Sequence, residues 1–273
     1  MNMQSADLRP INIYTLGRFD IVLDGAPLRY VFKAPRKPLV LLKALLSGGK
    51  GGVSQEALRE ALWPELEQWS AVKALYATVL QLRKLLGRKS AVKVDPARVA
   101  LDPEDCWVDA WAFENAVGQA TDPTELLWAL RFYRGMFLSD AEHSLASDAR
   151  QRLRRTFIRA VLQLGQGYER IGDTQSAIDL YLMALDADST SEDVHRGLMR
   201  CLAQEGQSSA VAAAFLRCRA MLIRHFGTEP SPLTEKIYRQ ACPASAGAGA
   251  GNLRAHELPP RVFRATAESA SMR

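Results

Sequence analysis

The spacing of apolar side chains changes several times along the first hundred residues, and each change marks a different element. Over residues 11–32, INIYTLGRFDIVLDGAPLRYVF, apolar and polar positions alternate, and Asp24-Gly25 is a hairpin signal, so this stretch predicts a small antiparallel sheet. From roughly Arg36 to Ser47 the period becomes three to four, with Leu39, Leu42, Leu45 and Leu46 facing inward, until the GGKGG run at 48–52 breaks the helix. Residues 54–87 then read as helix, loop, helix. Ser54 can cap the first, and Pro64 ends it, because the residue before a proline is pushed out of the helical region. The second starts near Ser70 and ends at Gly87, with Val72, Leu75, Val79, Leu82 and Leu86 as its buried stripe. Behind it AVKV and RVAL form two short strands around Asp95-Pro96-Ala97, the wing of a winged helix.

From Trp107 onward the pattern is wholly helical. Leu126, Ala129, Leu130 and Tyr133 outline one helix, and Ala149–Arg170 forms a longer one. A repeat of 34 residues follows: Leu164 matches Leu198, Tyr168 matches Leu202, Gly172 matches Gly206, Ala177 matches Val211, Tyr181 matches Phe215, and Ala184 matches Cys218. The first copy, LGQGYERIGDTQSAIDLYLMAL, follows the tetratricopeptide pattern, in which helical hairpins bury their apolar faces only by stacking. Leu164, Tyr168, Ala177, Tyr181, Leu198 and Phe215 are the expected core of that stack. Pro230 and Pro232 bracket a turn before a short helix ending near Tyr238. The fold expected is mainly α: an N-terminal winged helix-turn-helix of α+β type over 9–107, an all-α tetratricopeptide-like domain over 108–240, and a disordered Ala/Gly/Ser/Pro-rich tail over 241–273.

Charge separates these modules. Residues 29–98 hold fourteen lysines and arginines against five acids, a net of +9, whereas the whole chain is only +5. Residues 116–240 hold fifteen of each sign. Basic charge gathered on one module is the footprint of a phosphate-binding surface. On the helix after Pro64, the side opposite the apolar stripe carries Ser70, Lys73, Ala77, Gln81, Lys84 and, just past its end, Arg88. Ala74, Ala77 and Thr78 are small enough to let another molecule come close. A basic face alone is more often a solubility device. Set within so basic a neighbourhood it fits the major groove of double-stranded DNA, with Gln81 placed to read adenine and Lys73 and Lys84 to meet guanine or phosphate. Arg36 and Lys37 on the first helix, and Lys89, Lys93 and Arg98 at the wing, would position the duplex without reading it.

Other classes find little support. The most apolar stretch, Pro38 to Leu46, is too short to span a membrane and contains Lys43, and MNMQSADLRP does not read as a signal peptide, so the expectation is a cytoplasmic, nucleoid-associated protein. Cys106, Cys201, Cys218 and Cys242 lack metal-ligand spacing and read as buried free thiols. His143, His195, His225 and His256 are scattered, with no nucleophile, metal motif or paired carboxylates beside them, so neither an enzyme nor a cofactor is expected. His195 and His225 read as surface or capping residues. The serious competitor is a protein scaffold that holds partners with its repeats and uses the winged helix for protein contacts.

The order of these pieces resembles a known family. GGVSQEALREALWPE, AVKALYATVLQLRKLLG, the wing, LDPEDCWVDAWAFE, ALRFYRGMFL, the repeats and LIRHFGTEPSPLTEKIY together look like the bacterial transcriptional activators that join an OmpR-like winged helix to a bacterial transcriptional activator domain, among them the Streptomyces antibiotic regulatory proteins. The resemblance covers about residues 11–240. It implies binding to direct repeats beside a promoter as two or more protomers, with the helix over 70–86 in the major groove, the hairpin over 91–101 as wing, and contacts to RNA polymerase. The loop over Pro64–Trp69, through Pro64, Glu65, Glu67 and Trp69, is where such proteins meet polymerase. These residues show no receiver, forkhead-associated domain or P-loop pattern; GGKGGVS lacks the P-loop ending.

Overall fold

The computed structural model describes residues 9–29, 36–141 and 143–243. The tail expected beyond 241 therefore lies, from residue 244 on, outside the described residues. In chain order the elements are β1 (Ile11–Tyr14), β2 (Asp20–Leu23), β3 (Ala26–Pro27), α1 (Arg36–Ser47), a 3₁₀ turn at Gly49–Gly51, β4 (Val53–Ser54), α2 (Gln55–Leu62), α3 (Gln68–Leu85), β5 (Val92–Val94), β6 (Arg98–Leu101) and β7 (Cys106–Val108). Then come α4 (Asp109–Gln119), α5 (Pro123–Leu130), α6 (Ser144–Ile171), α7 (Thr174–Ala187), α8 (Glu192–Gln204), α9 (Ser208–Phe226) and α10 (Pro232–Ala241). The protein is mainly helical, with its small sheets confined to the first module.

The first sheet has the order β3-β2-β1-β7, and the second, β4-β6-β5, is the wing with one added strand. Asp95 shapes the wing turn, its Oδ1 accepting from the amides of Ala97 and Arg98 at 2.8 and 2.7 Å. Ser54 caps α2, its Oγ accepting from the Ala57 amide at 3.1 Å. Leu41, Leu42, Leu45, Leu58, Leu75, Val79 and Leu82 fill the space between α1, α2 and α3.

β7 corrects the expectation of an all-helical chain from Trp107. It pairs in parallel with β1, Ile11 opposite Cys106 and Ile13 opposite Val108. Three residues are too few to display a period of two, and the strand exists through a partner far away in sequence. The modules are then sewn together. The buried Asp109 carboxylate accepts from Thr15 N at 2.8 Å, Thr15 Oγ1 at 2.6 Å and Leu16 N at 3.0 Å. Leu16 bridges to Phe137, and the Leu138 amide donates to Thr15 O at 2.9 Å. The crossing is so close that a Cβ on Gly17 would lie 2.9 Å from Arg134 O and one on Gly135 2.9 Å from Gly17 Cα, so both positions require glycine. One apolar core runs through both modules.

In the second module α6–α7 and α8–α9 form the repeated hairpins, capped by α10. Leu164 and Leu198, Ala177 and Val211, and Ala184 and Cys218 are buried in equivalent places. Tyr181 is fully buried, its ring wedged against Gly165 and Gly197, where any Cβ would collide with it. Its hydroxyl donates to Glu169 at 2.7 Å, and Arg200 holds the same carboxylate at 2.9 Å. Tyr168 and Phe215, expected in the core, only pack against it and stay partly exposed. Near the end of the stack Phe215 stacks on Tyr238 of α10 with centroids 4.3 Å apart.

Candidate nucleic-acid interface

α3 begins two residues before Ser70, which moves Trp69 from the loop into the first helical turn. Its eighteen residues contain no acid. Leu75, Val79 and Leu82 face the core, as does Leu86 just past its end, while Val72 is only partly covered. Ser70, Lys73, Ala77, Gln81 and Lys84 are all exposed on the other side. Thr78 is the exception to the low-bulk outer face: it is 3% exposed, and its hydroxyl donates to Ala74 O at 2.7 Å, so it faces inward.

The outer face also holds apolar residues that charge-based reasoning passed over. Trp69 is 77% exposed, Leu80 63% and Tyr76 45%. Leu80 sits three residues after Ala77 and four before Lys84, on the same ladder as the basic residues. That spacing was readable from the sequence once Leu80 was seen to fall outside the buried stripe.

The cations around α3 divide by what they touch. Arg83 reaches across to the wing, its Nε and Nη2 donating to Val92 O at 3.1 and 2.6 Å, and so fixes the helix against β5. Arg88 pairs with Asp24 at 3.3 Å. Lys93 pairs with Asp102 at 2.8 Å; this bond holds the Asp102 carboxyl below the usual carboxylate range. Arg98 donates through Nη2 to Gly52 O at 2.8 Å. By contrast Lys73, Lys84, Lys89, Arg36 and Lys37 are exposed and form no ion pair among the described residues. Two of the expected phosphate-positioning side chains, Lys93 and Arg98, and Arg88 from the expected reading face are thus already engaged with the protein. Pro64, Glu65, Glu67 and Trp69 are all exposed, with Leu66 beside them.

Two of the four histidines are structural. His195, expected at the surface or as a cap, is 4% exposed inside α8, and its Nε2 lies 3.0 Å from Ser189 O. His143 caps α6, its Nδ1 accepting from the Ala146 amide at 3.2 Å. His225 is exposed on α9, and His256 lies outside the described residues. The four cysteines are buried free thiols; burial pushes Cys106 and Cys218 up to about 12 and Cys201 to about 11. No helix among the described residues is long and apolar enough to cross a membrane.

Residues 108–241 match the family model of the bacterial transcriptional activator domain. The fold is similar to that of Mycobacterium tuberculosis EmbR, solved in complex with a low affinity phosphopeptide, with a TM-score of 0.59 and 20% identity over 86% of this chain and 66% of that one. The chain therefore spans just under two thirds of the EmbR chain. No curated protein matches it in sequence.

Proposed function

We propose, because residues 108–241 match the bacterial transcriptional activator domain, that the chain is a regulator of the Streptomyces antibiotic regulatory protein-like type and activates transcription by binding specific DNA sequences as direct repeats beside a promoter. The observation that carries this reading is the outer face of α3: exposed Lys73, Ala77, Gln81 and Lys84 over a dry stripe, on a helix without one acidic side chain. In the major groove Gln81 would pair with an adenine edge and Leu80 would rest on a thymine methyl group. Lys73, Lys84, Lys89, Arg36 and Lys37 would contact phosphates. The exposed segment with Pro64, Glu65, Glu67 and Trp69 would meet RNA polymerase, and the second module would hold another protomer or a protein partner.

A titration of the full chain on fragments of its own upstream DNA tests this, with footprinting to find the site. The reading expects a shift whose affinity falls steeply as salt rises. One observation favours a second reading: the exposed Trp69, Tyr76 and Leu80 would also suit a protein surface, which makes the chain a scaffold. A scaffold shows no specific, salt-sensitive shift on any fragment.

A further inference from the structure

Residues 116–240 carry no net charge, yet one groove among them is basic. α6 bears six arginines. Arg150 donates to the carbonyls of Phe137, Leu138 and Ala141, Arg152 pairs with Glu114, and Arg154 pairs with Asp188. The other three, Arg155, Arg159 and Arg170, form no ion pair with the described residues, and Arg155 and Arg170 touch only carbonyls of their own helix. All three line one open groove of about 650 Å³ between α6 and the start of α8. Ile158 and Leu162 form part of its wall, both partly exposed.

The acids in the groove are already committed. Glu192 accepts from Thr234 Oγ1 at 2.6 Å and from the Ser231 amide at 2.8 Å, and Asp193 pairs with Arg196. Although burial opposes it, those hydrogen bonds hold the Glu192 carboxyl below its usual range. The groove therefore offers three uncompensated guanidinium groups beside an apolar strip. Along a helix rising about 1.5 Å per residue, Arg155 to Arg170 spans roughly 22 Å, the length of about six or seven extended residues.

We propose that this groove binds an acidic peptide segment of a partner protein, its Asp or Glu side chains on Arg155, Arg159 and Arg170 and its apolar side chains on Ile158 and Leu162. Arginine favours such partners because its planar fork matches a carboxylate. Duplex DNA fits less well: it is too broad to enter a groove of this size, whereas an extended peptide can lie along it. The proposal rests on reading the second module as a platform for partners, and it says which partner chemistry that platform takes.

The test is fluorescence anisotropy of the full chain with a labelled peptide of Asp, Glu and Leu, against a control in which Asn and Gln replace the acids. The acidic peptide should bind and weaken with salt, and the amide control should not bind. The variant R155E/R159E, substituted at exposed positions and checked for native circular dichroism, should lose about tenfold or more in peptide affinity. K73Q on α3 should leave peptide binding unchanged. Equal binding of both peptides, no binding of the acidic one, or an unaffected R155E/R159E overturns the proposal. So does duplex DNA that displaces the peptide while R155E/R159E loses DNA affinity to the same extent. Cooperative binding to two-site DNA, measured beside it, reports on the platform reading itself: cooperativity without peptide binding defeats the groove alone, and loss of both defeats the platform.

Discussion

α3 and α6 are the long helices that give each module its exposed face, and they manage charge in opposite ways. α3 has no acids, and of its three cations only Arg83 is tied to the protein, leaving Lys73 and Lys84 outward. α6 sits in a stretch, residues 116–240, of zero net charge, yet three of its six arginines remain unpaired among the described residues, all in one groove. Around α3 the reverse happens: Arg88, Lys93 and Arg98, counted in a strongly basic block, are held by Asp24, Asp102 and Gly52. Net charge per module therefore tells how many cations there are, and the pairing tells which can meet a partner.

The largest effect expected bears on how separate the two modules are. Tyr181→Ala removes a fully buried ring from between Gly165 and Gly197 and should cost roughly 3–5 kcal/mol, enough to unfold a marginal domain. Because the core is continuous through Asp109 and Phe137, calorimetry should show α3's module destabilised along with α6's. Two independent transitions, with the first module unmoved, would break that picture. The same continuity implies that cutting the chain near residue 115 exposes core, so point substitutions test each module more cleanly than truncation does.

Next in size is the seam itself. Asp109→Ala leaves the buried Thr15 and Leu16 amides without their acceptor and should cost about 2–3 kcal/mol. Asp109→Asn keeps one acceptor oxygen and should cost less. Denaturant midpoints give both values, and equal losses would show that shape rather than hydrogen bonding matters there.

This seam was the part least legible in the sequence. The first helix was readable to its end residues because an amphipathic period and a glycine run sit side by side, and the wing because a tight Asp-Pro turn lies between two alternating segments. β7 was hidden by its length. The start of α6 at Ser144 was missed because a histidine, an unusual cap, opens it. Thr78 looked like surface because its hydroxyl is polar; bonded to Ala74 O, it is buried at little cost. The division of cations into engaged and free could not be read at all, since Arg88 finds Asp24 and Arg98 finds Gly52 across 64 and 46 residues of chain.

DNA readout sharpens the comparison from the other side. Gln81→Ala should relax preference at one base pair by about 1–3 kcal/mol, measured by competition among operator variants. Leu80→Ala should make the protein indifferent to replacing one thymine by uracil, which removes only the methyl group. Lys84→Gln should instead weaken all sequences alike and reduce the salt slope by about one unit. If all three bind as the parent does, the outer face of α3 is not the reading surface.

The smallest effect separates the modules by pH. Every histidine in the chain lies beyond residue 115. His195 is buried, its Nε2–H donating to Ser189 O while Nδ1 has no partner among the described residues. Burial, and then the nearby Arg217, hold its pKa below the ordinary value, although the Ser189 carbonyl and Glu192 pull the other way. Burial also lowers His143, with Arg150 and Lys43 adding to it, and His143 must be neutral at Nδ1 to cap α6. Both histidines are therefore neutral in the folded state and free to take a proton when unfolded, near pH 6.5 or so. Depressed folded values mean that the unfolded chain binds more protons below that pH, so their contribution is present above it and is lost as pH falls. Denaturant midpoints of the second module should fall modestly as pH drops from neutrality, before the carboxylates titrate. His143→Asn with His195→Gln should flatten that slope, since Asn can cap a helix and Gln cannot gain the charge. The first module, without histidine, should show no change in hydrogen exchange over the same window beyond what the shared core transmits. A midpoint that rises on acidification would mean that these rings are charged in the fold and that their buried geometry is wrong.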